Sequence, residues 1–327
     1  MRNNPIFTLS YFGREFDRID IMETRNLSCL IKEEFKQFID SFDTVLTDFG
    51  GVLWLGNKVI PGSLDAINTL QKLGKKVYYI TNNSTKTRRE FVTKCTSMGY
   101  QATEDSIVST AFLTACYLQD INFNNKVYVI GSRGITQELD AIGIKYLDIE
   151  PDTMNCDMPT LLREKAALEP DVGAVVVGFD EHISFPKMLK AASYLKQKEC
   201  VFVATNTDEQ FPTEYPHLTV PGTGTFVKAI ETCSGREAFK IGKPRPYVGE
   251  VIIKRHNVDP NRTLMIGDRC NTDILFGTLC GFKTLLVLTG VTTLQEVKKW
   301  QTSSKKEEQD LVPNYYIQSL ADLLSLL

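Results

Sequence analysis

The chain has 327 residues, 43% hydrophobic and 24% charged, enough for roughly two globular domains that bury about 75% of their extended surface. Lys and Arg number 37 against 40 Asp and Glu, and the formal charge of −3 speaks against a nucleic-acid partner or a basic membrane-binding face. No apolar run is long enough for a spanning helix, and the eight scattered cysteines hold no CxxC pair, so a soluble cytoplasmic protein with reduced thiols is expected.

In chain order, residues 1–30 read as an N-terminal extension expected to be poorly ordered. Its start mixes acids, bases and aromatics (Glu15, Asp17 and Asp20 beside Arg14 and Arg18) without a period. That is too acidic for a transit peptide, and the apolar stretch of a secretory one is missing. Residues 31–40 read as a short helix leading into a β-branched run at 44–47. Residues 61–73 begin with Pro61, set Leu64, Ile67 and Leu70 at helical spacing and stop at Gly74. A strand comes next, at 77–80. The next helical pattern, 85–98, has a Ser/Thr cap, an apolar stripe of Phe91, Val92, Cys95 and Met98, and Gly99 as its stop. Short apolar runs at 126–130, 172–177, 201–205, 263–266 and 284–288 read as strands buried on both faces, and 301–312 as a charged loop. Strands alternating with helices predict an α/β fold, a Rossmann-like doubly wound parallel sheet.

The residues just beyond three of the strands carry chemistry. Strand 44–47 ends in Asp48-Phe49-Gly50-Gly51, strand 77–80 in Thr81-Asn82-Asn83-Ser84, and strand 263–266 in Gly267-Asp268, with Asp273 five residues on. Open α/β sheets bind ligands beyond the carboxyl ends of their strands, so these clusters are expected to meet at one crevice. Ile241-Gly242-Lys243-Pro244 adds a cation. Acids for a metal, glycines that admit backbone amides and a lysine for an anion make up a phosphoryl-transfer inventory. Plainer readings compete. Asp48-Phe49-Gly50 spells the DFG of protein kinases, but no HRD or APE comes after it, and the later Gly222-Thr223-Gly224 is explained by a tight turn. Singly, Asp268, Asp273 and Lys243 could be solvated loop charges; their ordered set argues otherwise. His182, His217 and His256 show no ligand spacing and read as packing or surface residues.

Asp48, Thr81-Asn82, Lys243 and Asp268 with Asp273 stand in the order of the four motifs of the haloacid dehalogenase superfamily, which the chain resembles over about residues 35–325. Gly51-Val52-Leu53-Trp54, Val177-Gly178-Phe179-Asp180, Pro221-Gly222-Thr223-Gly224, Gly242-Lys243-Pro244 and Gly267-Asp268-Arg269 resemble its 4-nitrophenylphosphatase branch, which includes phosphoglycolate and pyridoxal phosphatases. The resemblance implies a phosphatase of small phosphorylated metabolites with Mg²⁺ as cofactor. It implies that Asp48 is the nucleophile that forms an aspartyl-phosphate. Asp48, the Gly50 carbonyl and Asp268 would hold the Mg²⁺, with Asp273 behind the metal or orienting Lys243. Lys243 would offset the charge shared by Asp48 and the phosphoryl group. Thr81, Asn82 and the amides of Phe49, Gly50 and Gly51 would bind phosphate oxygens.

One position departs from that pattern. The family's first motif is Asp-x-Asp-Gly, and its second aspartate, the general acid/base, is here Gly50. General acid–base catalysis typically supplies ~10²–10⁴-fold, so binding is expected to survive and turnover to slow. The alternative is a pseudophosphatase that binds phosphate ligands or partners with little turnover. Phosphonate or halide cleavage would need an added group from the cap, and none is identifiable. Between Asn82 and Lys243 lie 160 residues, far more than one βα unit needs. The predicted division is therefore a core of 31–125 and 237–327 with an inserted α/β cap domain, 126–236, matching the large cap of that branch. Such a cap closes the crevice and chooses the substrate. The resemblance places its specificity loop at about 206–217, with Asp208, Phe211 and Pro212. Phe211 stands where pyridoxal phosphatases carry histidine, which leaves the substrate unassigned, and a homodimer through the cap stays open.

Overall fold

Every β-branched run read from the sequence is a strand in the computed structural model, which describes residues 23–165, 167–211, 215 and 217–327. In chain order the sheet strands are β1 (Arg25–Asn26), β2 (Thr44–Thr47), β3 (Lys76–Thr81), β4 (Ile107–Ser109), β5 (Lys126–Ile130), β6 (Val172–Val177), β7 (Val201–Ala204), β8 (Phe239–Lys240), β9 (Thr263–Gly267), β10 (Lys283–Val287) and β11 (Tyr315–Ile317). They form two sheets, parallel throughout. The core sheet has seven strands in the order β1-β11-β10-β9-β2-β3-β4. The cap sheet has four, in the order β8-β7-β6-β5.

Parallel sheets need helical crossovers that cover both faces, and the central strands β2 and β9 are accordingly buried at every position. Thr47 lies opposite Ile266 on one side and Tyr79 on the other, so the residues after β2 and β9 emerge at the edge where β3 ends. The order turns at β2, with β3 on one flank and the much later β9 on the other. Such a reversal opens a crevice at the carboxyl ends.

Local chemistry sets where the helices begin. The helix Arg88–Ser97 starts three residues later than the 85–98 read from its Ser/Thr cap, because Asn83 Oδ1 accepts from Thr85 N–H at 2.8 Å and holds a turn first. Thr87 and Glu90 then form a capping box at its N-terminus. The helix Thr110–Asp120 buries Ala111, Phe112, Leu113, Ala115, Cys116 and Leu118, nearly all round, because both sheets pack on it. One apolar cluster runs from Leu46 and Ile80 of the core through this helix to Val127, Val176 and Val203 of the cap. The Arg88–Glu138 ion pair (3.2 Å) and the exposed Arg133–Glu90 pair (2.6 Å) add links between the core helix and the cap helix Arg133–Asp140.

The ends and seams of the chain differ from the sequence reading. Within the expected extension, Arg25–Asn26 pair with Tyr315 and Tyr316 at the edge of the core sheet, and Leu27 is fully buried. Residues 1–22 of that extension lie outside the described residues. A two-residue polar strand has no period to read. The run 301–312 contains a helical turn at Lys306–Gln309 and ends on buried Val312. The cap sheet continues past residue 236, since β8 (Phe239–Lys240) pairs with β7. Among the described residues no helix is long and apolar enough to cross a membrane.

Candidate active site

Asp48 is the first residue beyond β2, and its N–H still donates to the Ile266 carbonyl at 3.1 Å, which fixes it at the rim of the sheet. Below it Phe49 is buried and stacked on Trp54, Tyr79 and Phe91, with ring centroids 4.5, 5.5 and 5.4 Å away. This aromatic floor holds the loop that carries Asp48. Lys243 Nζ reaches in from the far side, 2.7 Å from Asp48 Oδ1 and 2.6 Å from Asp273 Oδ1. Asp48, Asp268 and Asp273 each offer a carboxylate oxygen within 4.8 Å of one another.

The electrostatics follow from burial. Desolvation pushes the Asp48 carboxyl up to about 6, only partly opposed by the lysine. Asp268 is pushed up to about 7, again by burial first and then by the charges of Asp273 and Asp48. Burial works against the charge of Lys243, but Asp273 and Asp48 outweigh it and hold the ammonium above its usual value. Asp268 has no cationic ion-pair partner among the described residues; its Oδ2 accepts only the Val291 N–H, at 2.9 Å. Crowded, desolvated oxygen donors of this kind suit a hard divalent cation, which relieves their repulsion. The Gly50 carbonyl accepts no hydrogen bond among the described residues. Gly51 (φ +72°) and Gly290 leave the space: a Cβ at either would overlap Asp268 Oδ2.

Gly50 itself is different. It is exposed, its φ is one that any residue adopts, and, its chain neighbours aside, a Cβ there would meet only Asp48 Oδ2, at 3.9 Å. The backbone does not require glycine at this position.

At the end of β3, Thr81 is buried, and its Oγ1 accepts the Asn83 N–H at 3.1 Å. The Asn82 side chain is fully engaged within the protein. Both Nδ2 hydrogens are taken, by the Lys243 carbonyl (3.1 Å) and Asp208 Oδ1 (3.0 Å), and Oδ1 accepts the Lys243 N–H (2.9 Å). What Asn82 can offer an anion is its main-chain N–H. Asp208 thus meets the core, whereas Phe211 pairs with Val220 in a short antiparallel ladder of Gln210–Phe211 with Val220–Pro221 and packs on Phe179, centroids 4.3 Å apart. Pro212 lies outside the described residues.

The sequence reading missed the loop after β10. There the Val291 N–H holds the Asp268 carboxylate, Thr292 N–H donates to the Asp268 carbonyl (3.0 Å), and Thr292 Oγ1 accepts the Cys270 N–H (2.9 Å). Thr289-Gly290, directly after a strand at the same sheet edge, was the available signal.

Two family models match the chain: haloacid dehalogenase-like hydrolase over residues 45–145 and HAD-hydrolase-like over residues 240–323. Glycerol-3-phosphate phosphatase of Rattus norvegicus is 39% identical over 306 residues, which cover 91% of this chain and 95% of that protein. Chronophin of Bos taurus is 38% identical over 286 residues, covering 86% and 91%. Among solved structures, the p-nitrophenyl phosphatase from Archaeoglobus fulgidus aligns with a TM-score of 0.73 at 28% identity, covering 88% of this chain and 100% of that one.

Proposed function

The chain belongs to the haloacid dehalogenase-like hydrolases, and from that premise we propose a Mg²⁺-dependent phosphatase that hydrolyses small phosphomonoesters through an aspartyl-phosphate at Asp48. The observation that carries this reading is Lys243 Nζ bridging Asp48 and Asp273 at 2.7 and 2.6 Å, with Asp268 gathered to the same point. Glycerol 3-phosphate is the first substrate to try, given the named relatives. A cytoplasmic setting is part of the proposal, supported by eight unpaired cysteines, five of them buried.

In this mechanism Asp48 is the reactive carboxylate because its side chain keeps 17% exposure while Lys243 and Asp273 keep 2% each. An Asp48 oxygen attacks phosphorus, the bond from phosphorus to the alcohol oxygen breaks, and water later releases inorganic phosphate from Asp48. Protonated Lys243 offsets the charge that accumulates there. The amides of Phe49 and Gly50, the Asn82 N–H and the Thr81 hydroxyl hold the phosphate oxygens, whereas the Gly51 N–H donates to the Trp54 carbonyl at 2.9 Å and is not free to join them. Asp48, the Gly50 carbonyl and Asp268 would hold the Mg²⁺, which when bound screens the phosphoryl group from the attacking carboxylate. The inserted segment from residue 126 onward, its sheet completed by β8, serves as the lid over the crevice. Gly50 brings no proton to the leaving alcohol, and that one feature favours a second reading, a pseudophosphatase.

Calorimetry with Mg²⁺ and beryllium fluoride tests the site independently of turnover. The parent should bind both, and Asp268→Ala should weaken binding at least about tenfold. Undiminished binding by that variant would remove the site assignment.

Protons should compete with the cation in a defined window. Asp48 and Asp268, raised to about 6 and about 7, must be ionised to ligate, so Mg²⁺ affinity should fall as pH drops from 8 to 5. A drop of at least about tenfold is expected. Because these folded values lie above the unfolded ones, the native state binds more protons between roughly pH 4 and 7. The metal-free protein should therefore lose stability as pH rises through that window, and Mg²⁺ should restore it. Thermal unfolding at pH 5, 6.5 and 8, with and without Mg²⁺, reads both signs; pH-independent Mg²⁺ stabilisation would contradict them.

A further inference from the structure

The Asn82 side chain pairs with both backbone groups of Lys243, accepting its N–H at 2.9 Å and donating to its carbonyl at 3.1 Å, as a neighbouring strand would. The second Nδ2 hydrogen goes to Asp208 Oδ1 at 3.0 Å, and the Asn82 carbonyl accepts from Asn206 Nδ2 at 2.8 Å. Asn206 and Asp208 lie just after β7 of the cap, and Lys243 just after β8, the cap's edge strand. The cap ladder runs on beyond those strands, with Ile241 N–H donating to the Ala204 carbonyl and Gly242 N–H to the Thr205 carbonyl, each at 2.9 Å. A Cβ at residue 242 would come within 2.5 Å of Asn82 Oδ1 and 2.7 Å of the Thr205 carbonyl oxygen, so the three segments meet only around glycine.

We propose that Asn82 and Asp208 form a positioning pair through which the cap loop 206–208 sets where Lys243 stands against Asp48. Seating the cap and placing the cation then become one event. The lysine side chain spans from a backbone clamped by Asn82 to an ammonium clamped by Asp48 and Asp273, all of it buried. A backbone shift of about 1 Å at such a residue takes the charge out of line, and misplacements of that size cost up to about 10²-fold in rate. Neither member of the pair acts on the reacting atoms in this role. Asp208 serves as an acceptor, and Oδ1 can accept whether or not the other oxygen is protonated. Burial raises its carboxyl against the pull of the Asn82 hydrogen bond.

The kinetic consequence rests on the phosphatase reading; the mechanical one does not. The experiment compares full-length parent, Asp208→Ala and Asp208→Asn by hydrogen exchange and by Mg²⁺-supported hydrolysis of 4-nitrophenyl phosphate. In Asp208→Ala, amides of the peptide spanning 241–246 should exchange at least about fivefold faster, with those of β2 and β6 unchanged. Its kcat should fall about tenfold while KM moves less than about threefold. Asp208→Asn keeps an acceptor oxygen and should rescue both. Unchanged exchange at 241–246 in Asp208→Ala overturns the proposal. So does an Asp208→Asn variant with parental exchange and the kcat of Asp208→Ala, which would make Asp208 a proton donor instead. If neither the parent nor Gly50→Asp turns over substrate, the phosphatase reading fails, while exchange still decides the pair.

Discussion

Gly50→Asp should turn over an alkyl phosphate roughly 10²-fold faster than the parent, about 2.7 kcal/mol off the barrier. The alkoxide of such a substrate is a poor leaving group and needs a proton as its bond to phosphorus breaks. In the proposed route, the water that cleaves phosphorylated Asp48 in turn needs a base. At position 50 the parent has neither. The structure makes the repair feasible: the residue is exposed, its φ suits a side chain, and, its chain neighbours aside, a Cβ would meet only Asp48 Oδ2, at 3.9 Å. An aspartate grown from that Cβ lies beside Asp48, the proposed nucleophile, where the proton is wanted. Gly51 offers no such freedom, since its φ is +72° and a Cβ would overlap Asp268, so Gly51→Asp should lose binding instead. Steady-state kinetics on the folded Gly50→Asp variant decide the matter. A gain below about threefold would mean that another group already moves the proton.

The parts of this site that were legible in the sequence are those carried by long buried strands. Runs such as Thr44–Thr47 and Thr263–Gly267 are buried on both faces, so their β-branched composition marks them, and the residues just beyond them, Asp48 and Asp268, are placed at once. Lys243 came from its motif and not from a strand, because β8 is two residues long and its edge position leaves it no apolar pattern. The same shortness hid Arg25–Asn26. The role of Asn82 was illegible for another reason. A side-chain amide has two donors and two lone pairs, and nothing in its neighbours along the chain says whether they face a phosphate or a backbone 161 residues away. Only the return of the cap strand beside β7 settles where those groups go. Gly50 is the converse case: its sequence departure was plain, but whether the backbone demanded glycine there required the φ and the space around it.

The cost of Gly50 should depend on the leaving group. 4-Nitrophenolate departs with little protonation, so phosphoryl transfer from 4-nitrophenyl phosphate to Asp48 should outrun transfer from an alkyl phosphate by at least about 10²-fold. The second step is common to both substrates and still lacks its base. Phosphorylated Asp48 should therefore accumulate with the nitrophenyl ester, giving a burst of nitrophenolate about equal to the enzyme present and then a slow steady rate. With the alkyl ester the first step limits and no burst should appear. Lys243 and Asp273 do not remove this asymmetry, because the ammonium is held by two carboxylates and pushed above its usual value, which makes it a poor proton donor. Rapid mixing resolves the burst, and mass spectrometry after acid quench should place the phosphoryl group on Asp48. Restoring the acid in Gly50→Asp should erase the burst and narrow the gap between the two esters. Linear release without phosphorylated Asp48 would count against the two-step route and favour a protein that binds phosphate without turning it over.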